Sequence, residues 1–309
     1  MIYTVTLNPA IDYIYKIDGL CIGNTNRAQE EHLLPGGKGV NVSLLLNRLG
    51  EETLALGFLA GVTGKAYEAM LEQYGVPARF CYLSEGVTRI NVKVSAGEET
   101  ELNGKGPDIT DSDFRRISDI CAKAGPRDYL VLSGNVPGSA GNIYASILEN
   151  LKDVGLNIVV DTTGEELLHT LPYHPFLVKP NVEELGTLLH TTLSTREEVL
   201  QGARKLRGLG ARNVLVSMGG QGALLLTEDG DTFYTGALKG QVRNSVGAGD
   251  SMVAGFLHGW IQTGCYEEAL KFGTAAGCGT AFSYGIAGRE TVEALLKEVK
   301  ITKYESDHN

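Results

Sequence analysis

The chain has 309 residues and a formal charge of −10, from 37 acidic against 27 basic side chains, with no block of five like charges; nucleic acid is therefore not expected as a main partner, since phosphate backbones reward a basic face. Five cysteines, Cys21, Cys81, Cys121, Cys265 and Cys278, form no Cys-x-x-Cys pair, which argues against a disulfide scaffold or a zinc site and fits a reducing cytoplasm. The start MIYTVTLNPAIDYIY lacks the basic-then-apolar pattern of an export signal, and nowhere do eighteen apolar residues run together, so neither secretion nor membrane spanning is expected.

Tyr3 to Leu7 opens the pattern as a short, apolar, β-rich run, followed by Ile11 to Ile17, which alternates apolar and polar residues with period two. Leu34-Pro35-Gly36-Gly37-Lys38-Gly39-Val40-Asn41 feeds a helix over Val40 to Leu49. A buried strand follows at Thr53 to Leu59, then a helix over Ala66 to Tyr74. Arg89 to Leu102 alternates again, with a turn at Ala96-Gly97. Strands are then predicted at Tyr129 to Leu132, Asn157 to Val160, Phe176 to Val178 and Val214 to Val216, with a helix at Ile143 to Leu151. Capping boxes Thr163-x-x-Glu166 and Ser194-x-x-Glu197 start two further helices. Phe256 and Trp260 follow Asp250 on a helix and read as core; His258 beside them reads as a packed or hydrogen-bonded histidine. Only Lys303 to Asn309 reads as a disordered tail.

Alternating short strands and amphipathic helices predict one α/β domain over 1–309: a mostly parallel central sheet with helices on both faces. The two alternating segments depart from that rhythm and read as antiparallel strands of a small β flap or lid, built from about 11–18, 27–34 and 88–104. Exposed flap edges invite pairing with a second subunit, so a homodimer through the flap is expected. Ligands in this architecture lie at the carboxyl ends of the strands.

Two glycine clusters carry the chemistry. In Asn244-Ser245-Val246-Gly247-Ala248-Gly249-Asp250-Ser251, three small residues let an anion approach backbone N–H groups at a helix start, and Asp250 stands beside it as a potential proton acceptor. The alternative is simple close packing. In Gly36-Gly37-Lys38-Gly39-Val40-Asn41, a cation and an amide stand at the mouth of another helix, suited to a sugar hydroxyl or phosphate; here the alternative is a tight turn feeding a core helix. Neither cluster has the Walker A or the Rossmann spacing, and the six histidines show no metal-ligand spacing.

Together GGKGVNVS and NSVGAGDSMVAGF resemble the two signatures of the PfkB family of carbohydrate kinases, with the ribokinase-like fold. TLNPAIDY, LSGNVP at Leu132 to Pro137, VKPNVEEL and VSMGGQGALL extend the resemblance over nearly the whole chain. TLNPAID, GGKG and the NGKGP stretch from Asn103 to Pro107 are similar to the family's sugar-phosphate branch, nearer its 1-phosphofructokinase type than its tagatose-6-phosphate type. The resemblance implies ATP-dependent phosphorylation of a hexose phosphate, fructose 1-phosphate first, with tagatose 6-phosphate or fructose 6-phosphate as alternative substrates. Asp250 would be the base and Gly247, Ala248 and Gly249 the anion hole. Asp12, Gly37, Lys38, Gly39, Asn41 and Asn103 would meet the sugar. Lys179, Asn181, Ser217, Gly219, Gly220 and Gly222 would meet the nucleotide, and Asn181 with Glu184 would orient Mg²⁺ through water. Arg89, Arg27 and Lys38 are candidate holders of the sugar's phosphate, because a guanidinium offers a forked donor set; Lys105 is a further candidate. Carbonyls near Asn244 bind a monovalent cation in many relatives, which leaves K⁺ as an open cofactor. A silent sugar-phosphate sensor on the same fold is the non-enzyme alternative.

Overall fold

A computed structural model describes residues 1–97, 99–134 and 142–304. In chain order the first half runs β1 (Ile2–Thr6), β2 (Ala10–Lys16), β3 (Glu30–Gly36), α1 (Lys38–Leu49), β4 (Thr53–Ala60), α2 (Gly61–Gln73), β5 (Ala78–Leu83), β6 (Arg89–Ser95), β7 (Glu99–Asn103), α3 (Asp111–Cys121), β8 (Tyr129–Ser133) and α4 (Ile143–Leu151). The second half runs β9 (Asn157–Asp161), α5 (Gly164–Thr170), β10 (Leu177–Val178), α6 (Val182–Leu188), α7 (Arg196–Gly208), β11 (Asn213–Ser217), β12 (Ala223–Leu226), β13 (Thr232–Thr235), α8 (Ala248–Thr263), α9 (Tyr266–Ala281), α10 (Arg289–Leu296) and β14 (Ile301–Tyr304). No helix among the described residues is long and apolar enough to cross a membrane.

Ten strands form one sheet in the order β14-β13-β12-β11-β10-β9-β8-β1-β4-β5. From β11 to β5 all neighbours are parallel, whereas β12, β13 and β14 add an antiparallel edge. Alternation along the central strands sends side chains to opposite faces. Val131 and Val159 pack with α1, α8 and α9 on one face, while Leu130, Leu132 and Val160 pack with α3, α4 and α5 to α7 on the other. Burial on both faces explains why these strands read as unbroken apolar runs. Helices α8 and α9 approach closely because glycines line their contact: a Cβ at Gly255 would lie 2.4 Å from the Phe272 carbonyl oxygen.

The predicted flap is a separate four-stranded sheet, β3-β2-β6-β7. Its hairpins β2–β3 and β6–β7 are antiparallel, but β2 and β6 pair in parallel, against the expectation. The reason is the long crossover through α1, β4, α2 and β5, which brings β6 back in the direction of β2. Strand β3 covers 30–36 rather than 27–34, and residues 27–29 lead into it.

Three local expectations are corrected. Thr163 caps α5 without a side-chain bond, and Glu166 Oε1 accepts from the Asn142 backbone N–H at 3.0 Å. The second box is shifted by one residue: Thr195 and Glu198 make it, and Glu198 Oε2 accepts from the N–H groups of both Ser194 and Thr195. Lys303 and Tyr304 are not disordered but pair with β13 as part of β14, with Lys303 Nζ 2.9 Å from Asp231 Oδ1. Residues 305–309 and the 135–137 part of LSGNVP lie outside the described residues. His258 is held as read, hydrogen-bonded to Glu51 at 2.7 Å and edge-on to Phe272.

Candidate active site

Strand β1 fixes the first turn of α1. Thr6 Oγ1 accepts the Val40 N–H at 3.1 Å, and Gly39 lies so close that a Cβ there would meet the same oxygen at 2.7 Å. The turn is thereby pulled down onto the sheet, and the Lys38 and Asn41 side chains project from it. Across the gap Gly247 caps the start of α8; its φ of +79° favours glycine, and an added Cβ would meet Ile286 Cδ1 at 2.6 Å. Asp250, in the first turn of α8 and 6% exposed, accepts a hydrogen bond from Asn41 Nδ2 at 2.8 Å on its Oδ2.

Two lysines converge on a second carboxylate, on a third element. Asp161, the last residue of β9 and 1% exposed, places Oδ1 3.4 Å from Lys38 Nζ and 3.2 Å from Lys179 Nζ. Its Oδ2 is buried without a hydrogen-bond partner. Lys179 follows β10, and its Nζ sits 3.2 Å from where a Gly249 Cβ would be, directly beneath the Gly-Ala-Gly turn. Asp161 was not anticipated from the sequence; the available signal was a carboxylate at the carboxyl end of a buried strand, where this architecture places its ligands.

Charge is unevenly shared in this cluster. Burial works against the Asp161 charge, but Lys179 and Lys38 together outweigh it and hold the carboxyl below its usual range. Burial first, and then the charge of Asp161, push Asp250 up to about 6, against the pull of Asn41, Lys38 and Lys179. Burial disfavours the Lys38 ammonium, yet Asp161, Asp250 and Glu184 more than compensate and raise its pKa. Asp250 is therefore ionised at neutral pH while being more basic than an ordinary carboxylate, which suits proton abstraction.

Asn181 and Glu184 form a capping box at the start of α6. Asn181 Oδ1 accepts from the Glu184 N–H at 2.7 Å, and Glu184 Oε2 accepts from the Asn181 N–H at 2.8 Å. Each residue commits one side-chain oxygen to the cap. That donor set suits a cation that keeps most of its own water; no cluster of three or more His, Cys, Asp or Glu able to hold a metal occurs among the described residues. A backbone bridge joins Asn181 to Ser217 at the end of β11. The turn beyond it, 219–221, leaves Gly219 and Gly220 facing open space, while Gly222 is pressed against the Thr235 carbonyl. A cavity of about 300 Å³ adjoins this loop, lined by Asn181, Ser217, Met218, Gly219 and Gln221 among others.

The small sheet supplies Asp12. Asn91 Nδ2 donates to Asp12 Oδ1 at 2.9 Å, and Lys93 Nζ, unexpectedly buried, stands 3.6 Å from Asp12 Oδ2. Gly36 admits that carboxylate, since a Cβ there would lie 2.6 Å from Oδ2. Asn103 stands opposite Asn91 in register and donates to Glu101 at 3.3 Å. Arg89 is half-buried, its Nε donating to the Asn8 carbonyl at 3.1 Å, and burial pulls its pKa down although Asp12 opposes this. Lys105 is exposed and pairs with Asp108 at 2.7 Å. Arg27 is exposed beyond the outer end of the β2–β3 hairpin. Seven residue pairs make that hairpin about 20 Å long, so Arg27 stands apart from the cluster in its own chain.

The pattern of the pfkB family carbohydrate kinases matches residues 5–291. A 1-phosphofructokinase of Bacillus subtilis is 42% identical over 98% of this chain and 100% of its own. A D-tagatose-1-phosphate kinase of Bacillus licheniformis is 35% identical over 98% of this chain and 99% of its own. Among solved structures, phosphofructokinase-2 of Escherichia coli in complex with potassium superposes with a TM-score of 0.89 at 27% identity, covering 96% of this chain and 98% of that one. The chain belongs to the pfkB family and is an ATP-dependent sugar-phosphate kinase.

Proposed function

We propose that this pfkB-family kinase phosphorylates fructose 1-phosphate to fructose 1,6-bisphosphate, with Asp250 as general base. The observation that carries the mechanism is the Asn41–Asp250 hydrogen bond, which aims a buried, basic carboxylate at the point where the first turns of α1 and α8 meet. Asp250 takes the proton of the sugar hydroxyl as its oxygen bonds the γ-phosphorus. The bond from that phosphorus to the bridging oxygen breaks, and ADP leaves. The Gly247 to Gly249 amides and the Lys179 ammonium beneath them face the charge on the moving group.

On the sugar side, Asp12 binds hydroxyls from the small sheet, Gly37, Lys38, Gly39, Asn41 and Asn103 line the ring, and Arg89 holds the phosphate. On the nucleotide side, Ser217, Gly219, Gly220 and Gly222 carry the loop. When bound, Mg²⁺ supplies neutralisation of phosphate charge, with Asn181 and Glu184 orienting its water. K⁺ joins the proposal because a potassium complex is known for a relative of the same fold. A silent sensor has no use for an ionisable base held in this way.

Fructose 1-phosphate is favoured by the B. subtilis relative's name, and tagatose 1-phosphate is the second reading, from the B. licheniformis one. A coupled ADP assay with fructose 1-phosphate, tagatose 1-phosphate, tagatose 6-phosphate and fructose 6-phosphate decides. We expect fructose 1-phosphate to give the highest kcat/KM; a 6-phosphate in first place would overturn the assignment.

The small sheet also suits a dimer. Leu33, Tyr13, Val92 and Leu102 form one cross-strand row, in which Leu33 is 47% and Leu102 64% exposed, while Asp12 and Asn91 lie on the opposite face. A second copy covering that row would protect it from water. Arg27 can serve the sugar phosphate only across such a pair. Light scattering should return twice the chain mass at micromolar concentration, and Leu102→Lys should shift it toward the monomer; a monomer throughout would reject the pairing.

A further inference from the structure

We propose that Asp161 is a positioning residue for phosphoryl transfer, holding the Lys38 and Lys179 ammonium groups on the phosphate side of the cluster and off the base. The proposal rests on the reading of Asp250 as that base. Its footing is geometric. One oxygen, Oδ1, takes both ammonium groups, at 3.4 and 3.2 Å, and so fixes Lys179 beneath Gly249. Asp250 Oδ2 meets a neutral amide from Asn41 instead of either lysine.

The groups facing Asp250 are Asp161 from β9, Lys179 after β10, and Lys38 and Asn41 from α1; Glu184 from α6 acts on Lys38. Two ammonium groups thus confront two carboxylates, and the one that captures them decides which carboxylate stays reactive. Without the charge at 161, Asp250 becomes the nearest acceptor. A direct ion pair would occupy its oxygen and make it a weaker base. The buried, unpartnered Oδ2 of Asp161 points the same way. All the pairing seen for this carboxylate is thus made through Oδ1 and goes to the two lysines.

The test uses the intact enzyme with Asp161→Asn, and Asp161→Ser as a second variant, each checked by circular dichroism and melting. We expect kcat to fall about 100-fold, as for misplaced catalytic groups, with the KM for sugar phosphate changed only several-fold. The acid limb of kcat/KM, expected at about pH 6 in the unaltered enzyme, should move down by about one unit. Adding Lys179→Met to Asp161→Asn should move it back up. The carboxyl ¹³C resonance of Asp250, assigned by its loss in Asp250→Asn, should titrate in parallel and needs no substrate, so failure of the substrate assignment is read separately. Lost activity with an unmoved limb and unmoved carboxyl titration would reduce Asp161 to a structural residue and overturn the proposal. In the unaltered enzyme Asp161 must also titrate below Asp250; the reverse order overturns the proposal even where neither variant folds.

Discussion

If Asp250 is the proposed base, Asp250→Asn should lower kcat by about 10²- to 10⁴-fold, the usual worth of a general base, while fructose 1-phosphate binding measured by calorimetry should stay within a few-fold of the unaltered enzyme. The proposed sugar-binding groups stand on other elements: Asp12 on β2, Arg89 on β6 and Gly37 to Asn41 at the start of α1. An asparagine keeps the volume of the side chain and still offers an oxygen to Asn41 Nδ2. What it removes is the proton acceptor. Equal losses of turnover and binding would mean that Asp250 holds the sugar and does not accept its proton.

The same substitution has a second signature, in stability. Burial and Asp161 raise the Asp250 pKa from 3.8 to about 6. A carboxyl raised on folding binds its proton more tightly in the native state, so its ionised form destabilises the fold above about pH 6, and this penalty fades as the pH falls through that value. About two units correspond to roughly 3 kcal/mol. Asp250→Asn should therefore melt at a higher temperature than the unaltered enzyme at pH 8, with the gap closing as the pH falls from about 6 toward 4. A fold that gains stability when its reactive group is neutralised keeps that group for function.

The parts of this molecule that could be read in the sequence are those in which a local pattern and the tertiary structure demand the same thing. Strands at 129–133 and 157–161 are buried on both faces, so their composition alone announces them. The edge strands β12 to β14 are four residues each, too short for any periodicity to speak, and β14 carries Lys303, whose place is set by Asp231 and the Phe233 ring. The box at α7 lies one residue later than predicted. Contacts of Glu197 with Gln201 and Arg204 leave Glu198 for the cap. In the site, glycine clusters around Lys38 and Asp250 could be seen because several residues must be small together. Asp161 and Lys93 are single residues whose meaning lies in partners far along the chain, Lys38 and Lys179 for one, Asp12 and Glu101 for the other.

In the loop proposed to hold the nucleotide, glycines that serve the fold can be told from those free to serve a ligand. At Gly222 the backbone has φ +98°, and an added Cβ would lie 1.8 Å from the Thr235 carbonyl oxygen and 2.7 Å from Gly236 C, neither of which is a side chain able to turn aside. Gly222→Ala must therefore displace the start of β12 from β13, where Ala223 pairs with Thr235. Backbone strain plus overlap should cost roughly 3–5 kcal/mol. In a chain of this size that lowers Tm on the order of 10 °C. Because Ser217 pairs with Ala223, the displacement also reaches the loop proposed to hold ATP, so the KM for ATP should rise while that for the sugar phosphate changes little. Gly220 is the control. It has ordinary φ and open space around it, so Gly220→Ala should melt within a degree or two of the unaltered enzyme, and any effect on KM for ATP then reports the ligand's approach. Scanning calorimetry that found Gly222→Ala as stable as Gly220→Ala would sink the packing argument. An unchanged KM for ATP in both variants would instead move the nucleotide off this loop.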